Sequence, residues 1–391
     1  MKSTPYKLLR ITTVDLSLAK LLNGQMRFMK EHGLDVTMIS AKTQFRDQVI
    51  EHEKCSHIIV PMARQISLWQ DMKCLWMLVH KIRKLSPDIV HTHTSKAGLL
   101  GMIAAKIVGI PIRIQTVAGT PPDADKGGLK KYIMYATERL TFWSATHVWP
   151  NSYSLKNFII ENNFTDPKKL EVIGFGSSNG INLEKYSKHN LNKEILSDIK
   201  LKVFNHGAKK YFLFVGRLLA DKGIIELIDA FLVIHTKNPE SQLILLGSFE
   251  NHRGKLPEKT LSAITSHSGI THVNWSEYVE YYMRLSDIVI HPSYREGFPG
   301  VLLQAGAMDT PILASDVIGN RDCVQHLETG YLFKSKDSKS IQEAMQFAID
   351  NPAKMKQFSE NWHKMVIEKF EQKKVQGFYY DKYINLLENP Q

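Results

Sequence analysis

The sequence has few cysteines and no long apolar run, and each absence argues against a class of protein. Three cysteines, Cys55, Cys74 and Cys323, occur in 391 residues, and no two of them form a C-x-x-C pair. This argues against a zinc knuckle or a disulfide framework and favours a reducing compartment. The N-terminus lacks an apolar stretch of signal-peptide length, and no run approaches the roughly 18 apolar residues of a spanning helix. We therefore expect a soluble or peripheral protein in the cytoplasm.

Positive charge is concentrated in the first half of the chain. The whole sequence has 50 Lys or Arg and 39 Asp or Glu, and residues 1–182 hold 24 of these basic residues but only 14 of the acidic ones. Such a basic half suggests an anionic partner: nucleic acid, an acidic membrane surface or a phosphorylated substrate. No nucleic-acid-binding motif is present, so nucleic acid ranks last and we expect none as a partner.

Short Val- and Ile-rich runs alternate with longer helical patterns, such as Leu16–His32 and Trp69–Lys84. This alternation predicts right-handed crossovers and parallel sheets that are covered by helices. The predicted strands are Leu8–Val14, Val36–Ser40, Ile58–Val60, Ile89–His91, Ile112–Val117, His147–Pro150, Tyr211–Val215, Leu243–Leu246, His272–Asn274, Ile288–His291 and Ile312–Ala314.

The strand pattern restarts near residue 211, which predicts two domains. The polar segment Leu183–Lys210 lacks a strong apolar stripe and is interpreted as a linker with irregular structure. We predict an N-terminal domain over 1–182 and a C-terminal domain over 183–365, with a final helix over 366–391 that packs back on the first. The fold class is α/β, with two Rossmann-like parallel-sheet domains facing a cleft. Ligands of such sheets bind beyond the carboxyl ends of the strands.

Two cations follow the first predicted strand of the second half. Val215-Gly216-Arg217 is followed by Asp221-Lys222-Gly223. Gly216 allows the chain to turn closely past a ligand. Arg217 and Lys222 can meet an anion, Lys222 near a helix start whose N–H groups also favour one. A solvated turn with two surface cations is the ordinary alternative, and the next motif favours phosphate binding.

A glycine-flanked loop opens the helix that follows the strand ending at His291. In such a loop, backbone N–H groups point at a ligand and form an anion site. Glu296 lies just before the loop, where a carboxylate suits sugar hydroxyls better than phosphate. Gln304 lies about one turn into the helix and can bond a ribose hydroxyl. A helix-terminal acid and a surface glutamine are the ordinary alternatives.

These blocks resemble the nucleotide-sugar half of glycosyltransferase family 4, the retaining transferases of the GT-B fold. The resemblance rests on V-G-R (215–217), D-K-G (221–223), S-D-I-V-I-H-P-S (286–293) and E-G-F-P-G-V-L-L-Q-A-G-A (296–307). It runs in order through nearly the whole chain, and it departs from the family where Gln304 replaces the usual second glutamate.

The resemblance implies a site in which Arg217 and Lys222 neutralise the donor diphosphate and Glu296 holds sugar hydroxyls. The donor would be a nucleoside diphosphate sugar, UDP-linked, with no metal and no separate cofactor. The donor-binding residues are Gly216, Arg217, Lys222, Gly297, Phe298, Pro299, Gly300, Val301 and Gln304. The catalytic candidates are Glu296, Arg217, Lys222 and His93.

Three segments of the first half supply acceptor-side candidates. Asn23-Gly24-Gln25 resembles the acceptor-side loop of the family, and Gly24 and Gln25 are its candidates. His91-Thr92-His93 follows a strand and leads to Lys96. One of the two histidines is expected to be a buried, hydrogen-bonded side chain. Gly119 follows the next strand, and Ala118 stands where many family members have a histidine.

Two basic, aromatic-rich segments offer a place for the excess charge. Lys126–Tyr135 and Trp69–Lys84 mix lysines with Trp, Tyr and Met. Such mixtures suit a membrane interface with anionic lipids, whereas a core-facing stripe with a solvated basic face is the ordinary alternative.

The sequence favours a hexosyltransferase with a lipid-linked or saccharide acceptor in surface polysaccharide assembly, at the inner face of the plasma membrane. Gln304 and Ala118 keep open a catalytically weak subunit that binds nucleotide sugar or lipid for a partner transferase. A sugar-nucleotide epimerase of the same fold is the enzymatic alternative. The first strand is followed by no G-x-G-x-x-G, which argues against a nicotinamide-dependent dehydrogenase.

Overall fold

The computed structural model describes residues 4–63, 65, 67–121, 128–204, 207–250 and 254–389, without the side chain of Lys130. The chain divides into two units. The first comprises Met1–Gly180 together with Gln372–Gln391, and the second comprises Ile181–Glu371. The first boundary was predicted after residue 182, and the structure places it after Gly180. The chain was predicted to return to the first unit at residue 366, and it returns at Gln372.

The first unit is built on a six-stranded parallel sheet. Its strands lie in the order β3-β2-β1-β4-β5-β6. They are β1 (Lys7–Val14), β2 (Asp35–Ala41), β3 (Ser56–Ile59), β4 (Ile89–His93), β5 (Ile112–Val117) and β6 (His147–Pro150). The strand order reverses direction at β1 and β4, which places the topological switch point at their carboxyl ends. Strand β4 is buried along its whole length, as expected where both faces of a sheet are covered.

Helices cover both faces of this sheet. They are α1 (Asp15–Lys20), α2 (Gln25–Glu31), α3 (Arg46–Glu53), α4 (Leu68–Leu85), α5 (Ser95–Val108), α6 (Leu129–Ser144) and α7 (Tyr153–Glu161). Three of them, α4, α5 and α6, connect strands that advance in one direction across the sheet. Right-handed crossovers therefore place these three on one face, where α5 packs between α4 and α6.

The second unit repeats the plan with strand order β12-β11-β10-β7-β8-β9. Its strands are β7 (Lys210–Val215), β8 (Ser241–Leu246), β9 (Ile270–Val273), β10 (Ile288–His291), β11 (Ile312–Ser315) and β12 (Tyr331–Phe333). All neighbouring strands are parallel. The order reverses between β7 and β10, so the switch point lies at the ends of the two strands that precede Gly216 and Glu296.

Two helical layers enclose the second sheet. The helices are α8 (Lys193–Val203), α9 (Ile224–Lys237), α10 (Glu258–Ser266), α11 (Val279–Leu285), α12 (Gly300–Ala307), α13 (Asn320–Cys323), α14 (Ser338–Asp350) and α15 (Pro352–Lys369). Helix α9 buries Leu227 and Phe231 in the core beside α14. On the other layer α12 packs against α15, where the Trp362 indole N–H donates to the Leu302 carbonyl at 2.8 Å. Two short 3-10 turns, Pro167–Lys169 and Ala220–Lys222, complete the elements.

The final helix, α16 (Gln372–Glu388), belongs to the first unit. Its Tyr383 ring stacks on Trp149 of β6 with ring centroids 5.7 Å apart. The Tyr383 hydroxyl also meets a buried polar pair on the sheet, at 3.2 Å from Arg10 Nη1 and 2.5 Å from His91 Nδ1. Aromatic packing and a buried polar cluster therefore hold α16 on the sheet.

The prediction of two doubly wound parallel sheets is confirmed, whereas three local predictions are wrong and one strand was not predicted. The helix predicted over Leu16–His32 is two helices, because Gly24 adopts φ +77°, a conformation that a helix cannot continue through. The linker predicted over Leu183–Lys210 contains α8, whose Asn192 side chain caps the N–H groups of Glu194 and Ile195. The three-residue strand β12 was not predicted. The helix predicted over 366–391 is interrupted, because α15 ends at Lys369 and α16 begins at Gln372.

No helix in the described part of the chain is long and apolar enough to span a bilayer.

Candidate functional site

The turn after β7 brings Lys222 to the end of β10. The Tyr294 N–H donates to the Asp221 carbonyl at 3.0 Å, which joins the two loops. Gly223 adopts φ +74°, and a Cβ at this position would collide with the carbonyl oxygen of Pro292. The glycine predicted from the D-K-G block thus allows a close approach of two backbones. This approach positions the Lys222 side chain.

Glu296 receives two donors on one oxygen. Its Oε1 lies 2.5 Å from Lys222 Nζ and 3.1 Å from His291 Nε2. The Glu296 side chain is only 15% exposed. Burial alone would raise the pKa of Glu296, but the Lys222 charge and the His291 hydrogen bond outweigh it and hold that pKa well below its usual range. The carboxylate is therefore ionised at neutral pH and available to accept hydroxyl groups.

His291 completes this cluster and was not among the predicted site residues. It is the last residue of β10 and is buried. The bond to Glu296 requires a proton on Nε2, and Nδ1 has no hydrogen-bond partner among the described residues. His291 lies in the S-D-I-V-I-H-P-S block, but neither that block nor its place at the end of a strand, five residues before Glu296, singled it out as a site residue.

Arg217 belongs to a separate ion pair. Its Nη1 lies 3.0 Å from Glu250 Oε2, in the segment after β8, and 40% of its side chain is exposed. An exposed pair of this kind contributes little stability, so an anion with two charges can compete for the guanidinium. The structure therefore brings Lys222 together with Glu296 but gives Arg217 a different carboxylate.

The loop from Gly297 leads into α12, which begins at Gly300 without a side-chain cap. The Leu302 N–H donates to the Pro299 carbonyl at 3.1 Å, whereas the N–H groups that precede it in the first turn have no intrahelical partner and face outward. The Phe298 ring packs on Phe370 at 5.2 Å between centroids, which anchors the loop. The Gln304 side chain lies beside Tyr186. Its predicted bond to a ribose, and the predicted role of the amides from Phe298 to Val301, remain predictions.

In the first unit, β4 ends in two histidines with different surroundings. His91 is fully buried and shares its nitrogens with Arg10, Tyr383 and Thr116. It is the buried, hydrogen-bonded histidine expected from the sequence. His93 is also buried, and its Nδ1 has no partner among the described residues. Burial, with a smaller effect of the Arg10 charge, lowers the pKa of His93 to about 3. His93 is therefore a neutral imidazole.

Other acceptor-side candidates already have partners within their own unit. Lys96 Nζ lies 2.5 Å from Asp71 Oδ2 of α4. The Gly24 N–H donates to Glu53 Oε1 at 2.6 Å. Gln25 is buried, and its amide donates to the Ser178 carbonyl at 2.8 Å. These contacts give Gln25 a structural role in holding the turn at 176–180.

Gly119, the remaining candidate, lies beside a small cavity that the sequence did not indicate. Val117, Gly119 and Pro121 line it together with apolar side chains of α6 and α7 and the carboxyl of Glu138. Burial raises the pKa of Glu138 to about 7. In the described part of the chain, no group of three or more His, Cys, Asp or Glu side chains is arranged to hold a metal ion.

Comparison with known proteins agrees with this architecture. Residues 19–176 match the family described as "Glycosyl transferase 4-like domain", and residues 197–365 match "Glycosyl transferases group 1". The chain is 33% identical over 365 residues to the capsular polysaccharide biosynthesis glycosyltransferase CapM of Staphylococcus aureus, with 93% of each chain covered.

Two further similarities extend over nearly the whole length. An Escherichia coli UDP-Gal:alpha-D-GlcNAc-diphosphoundecaprenol alpha-1,3-galactosyltransferase is 27% identical over 399 residues, with 100% of both chains covered. The crystal structure of Anabaena Alr3699/HepE in complex with UDP and glucose superimposes with a TM-score of 0.80 at 16% identity, over 97% of this chain and 100% of that one. The chain belongs to glycosyltransferase family 4 and has the GT-B fold.

Proposed function

We propose that this glycosyltransferase transfers a hexose, with retention of configuration, from a UDP-sugar to a lipid-linked saccharide during surface polysaccharide assembly. The observation that carries the proposal is the ionised Glu296, held by Lys222 and His291 at the switch point of the second sheet. The names of two relatives support the acceptor: one acts in capsular polysaccharide biosynthesis and the other on a diphosphoundecaprenol-linked sugar.

The two cations of the site serve the leaving group in this proposal. Negative charge grows on the diphosphate as its bond to the sugar breaks, and positioned cations stabilise that charge. Arg217 exchanges its partner Glu250 for a phosphate. Lys222 lies between Glu296 and the diphosphate and contacts both. The first amides of α12 add donors at the same end of the sheet.

Glu296 binds the sugar rather than the phosphates. Its ionised carboxylate accepts hydroxyl hydrogen bonds, and charge-assisted bonds of this kind are strong and directional. We propose front-face attack, in which the acceptor oxygen bonds to the anomeric carbon while the bond between that carbon and the diphosphate oxygen breaks. The departing diphosphate takes the acceptor's proton, so this step requires no protein nucleophile.

A transfer assay tests the site assignment. Purified protein is supplied with a panel of labelled nucleotide sugars and a membrane extract that contains lipid-linked acceptors. Glu296→Ala and Arg217→Ala are expected to reduce transfer by about 100-fold. Arg284→Ala, a change at an exposed arginine of α11, serves as the matched control. Transfer by both site variants at the parental rate would show that the site is wrongly assigned.

Gln304 and Ala118 favour a second candidate, a catalytically weak subunit that binds nucleotide sugar or lipid for a partner transferase. Both positions depart from the family pattern, and Gln304 lies beside Tyr186 in this structure. Turnover by the purified protein alone would exclude this candidate. An epimerase of the same fold would alter the nucleotide sugar without any acceptor, which the same panel detects.

We also propose that the protein works in the cytoplasm as a peripheral protein at the inner face of the plasma membrane. The basic first half, with 24 Lys or Arg against 14 acidic residues over 1–182, supports this location. In cell fractions, the protein is expected in the membrane pellet and is released by high salt, since screening weakens its attraction to anionic lipids. Recovery in the supernatant at low salt would contradict the proposed location.

A further inference from the structure

Helix α4 turns a row of large apolar side chains towards solvent. Its buried residues Cys74, Leu78 and Ile82 recur every four positions and face the packed interior, where α4 contacts α5. The opposite side carries Trp69, which is 90% exposed, and Trp76, which is 70% exposed, with Met72 exposed one turn from each. Two tryptophans at this exposure leave a large apolar area in water, which marks an interaction surface.

The start of α6 shows the same character. Leu129 is 76% exposed and Tyr132 is 72% exposed, and Ile133 lies beside them in solvent. Among the side chains of α6 that the structure describes, the fully buried ones, Thr141, Phe142 and Ser144, all lie in its last turn. The first turns of α6 therefore do not belong to the packed core.

Both rows lie at the carboxyl edge of the first sheet. Asp71, in the first turn of α4, pairs with Lys96, which comes three residues after β4 ends. Glu138 of α6 lines a cavity with Val117 and Gly119 at the end of β5. Leu129 is nine residues earlier in the same helix, so it lies about 13 Å from Glu138 along the helix axis, towards the N-terminal end of α6. The two rows thus flank the edge that carries His93 and Gly119.

Charge on the two helices is one-sided. Helix α4 has four Lys or Arg and one acid, and α6 has three and one. Both acids are turned away from open solvent: Asp71 pairs with Lys96, and Glu138 lies in its cavity. Lys73 is exposed between Met72 and Trp76. The solvent-facing charge of both helices is therefore cationic.

We propose that a docking face, formed by Trp69, Met72 and Trp76 of α4 and Leu129, Tyr132 and Ile133 of α6, inserts into an anionic bilayer surface. Aromatic and aliphatic side chains enter the boundary between headgroups and acyl chains, and the neighbouring lysines meet anionic headgroups. Docked in this way, the edge that carries His93 and Gly119 faces the membrane. The purpose of this membrane docking rests on the lipid-linked acceptor proposed above.

Vesicle sedimentation without any nucleotide sugar tests the docking face. The full-length protein is mixed with phosphatidylcholine vesicles, with or without phosphatidylglycerol, at low and high salt. We expect binding to the anionic vesicles, weakened by salt. The double variant Trp69→Asp/Trp76→Asp is expected to lose at least about tenfold in partition coefficient, whereas Trp69→Phe/Trp76→Phe retains binding. Leu201→Asp, at an exposed leucine of α8 in the other unit, is the matched control.

Thermal melts confirm that each variant is folded before binding is compared. Parental binding by the aspartate variant, or equal binding of the parent to neutral and anionic vesicles, would overturn the proposal. If the parent forms dimers and the aspartate variant does not, while vesicle binding is unchanged, the face would be assigned to a second copy of the chain instead. Because no donor is present, failure of sugar transfer does not affect this result.

Discussion

At the switch point of the second sheet, the charge and the availability of each site residue depend on the side chain with which it pairs. Glu296 is ionised because Lys222 and His291 outweigh its burial, and Arg217 remains available because its partner Glu250 holds it at an exposed position. The E-G-F-P-G block predicted Glu296, and D-K-G predicted Lys222. His291 lies in the S-D-I-V-I-H-P-S block, but that block predicted only a strand, because a histidine before Pro-Ser is equally consistent with a buried strand end. The sequence likewise did not indicate Glu138, an acid within a helix whose apolar neighbours come from three separate segments.

Replacing Glu296 is expected to separate the binding of sugar from the binding of phosphate. In Glu296→Gln, Lys222 keeps its charge and loses its carboxylate partner. UDP is therefore expected to bind as tightly as before or more tightly. The extra affinity of the UDP-sugar over UDP is expected to fall by about 10- to 100-fold, because charge-assisted hydrogen bonds are lost. Calorimetric titration of both ligands measures the difference. Equal losses for UDP and UDP-sugar would contradict the assigned role.

Glu138 makes the stability of the first unit depend on pH. Its folded-state pKa of about 7 lies above the ordinary value of 4.5, so the folded state binds the proton more tightly. The free energy of unfolding therefore falls as pH rises from about 4.5 to 7. Glu138→Gln is expected to remove this loss and to gain on the order of 3 kcal/mol at pH 8 relative to its effect at pH 4.

Denaturant unfolding across this pH range measures the effect of Glu138. Glu161→Gln, at an exposed glutamate of the same unit, is the control. If the difference in the free energy of unfolding between Glu138→Gln and the parent does not vary with pH, folding does not raise the pKa of the Glu138 carboxyl.

At the scale of elements, one turn joins two strands of the second sheet and so builds the site. The short turn Ala220–Lys222 ends at Gly223, which packs against the backbone after β10. Strong apolar runs made most strands predictable from the sequence. Strand β12 was missed because its residues, Tyr-Leu-Phe, include no Val or Ile and only Phe333 is buried. Helix α8 was missed because Ile199 is its only fully buried residue. The break at Gly24 had a signal, the Asn-Gly pair, that the apolar periodicity of the flanking segments obscured.

Gly223→Ala is expected to disturb both stability and donor binding. The new Cβ meets the Pro292 carbonyl in a left-handed conformation, which costs about 1–3 kcal/mol in the free energy of unfolding. It also moves Lys222 relative to Glu296, so affinity for a nucleotide sugar falls. Gly33→Ala is the matched control, since φ there is +95° with nothing within 4 Å of the added Cβ. Equal destabilisation by the two changes would contradict the packing argument.

At the scale of the whole molecule, the first unit is assembled from segments far apart in the chain. The aromatic periodicity of the last 25 residues predicted a helix, and the restart of the strand pattern predicted a second sheet. The exact return point had no sequence signal, because two helices with similar polar faces follow each other across Phe370 and Glu371. The polar cluster of Arg10, His91 and Tyr383 was also unpredictable, since it depends on a pairing across 373 positions.

Tyr383→Phe is expected to destabilise the first unit and to leave the second unchanged. The change removes a hydroxyl partner of the buried Arg10 and His91, which costs about 1–3 kcal/mol. Hydrogen exchange resolved by peptide measures the loss as reduced protection of β1 and β4, with β7 and β10 unaffected. Tyr380→Phe is the control, because that hydroxyl donates to the His32 carbonyl at an exposed site. Uniform loss of protection in both units would contradict the division.

The split origin of the first unit has a consequence for biosynthesis. Its six strands are translated before residue 151, whereas α16 follows only after residues 181–371 have been made. At about 5–20 residues per second, this interval lasts roughly 10–40 seconds. During that time Trp149 and the Arg10–His91 pair lack their tyrosine partners and stay uncovered. The nascent first sheet is therefore a candidate client for chaperones, and the second unit can complete its own core before the first.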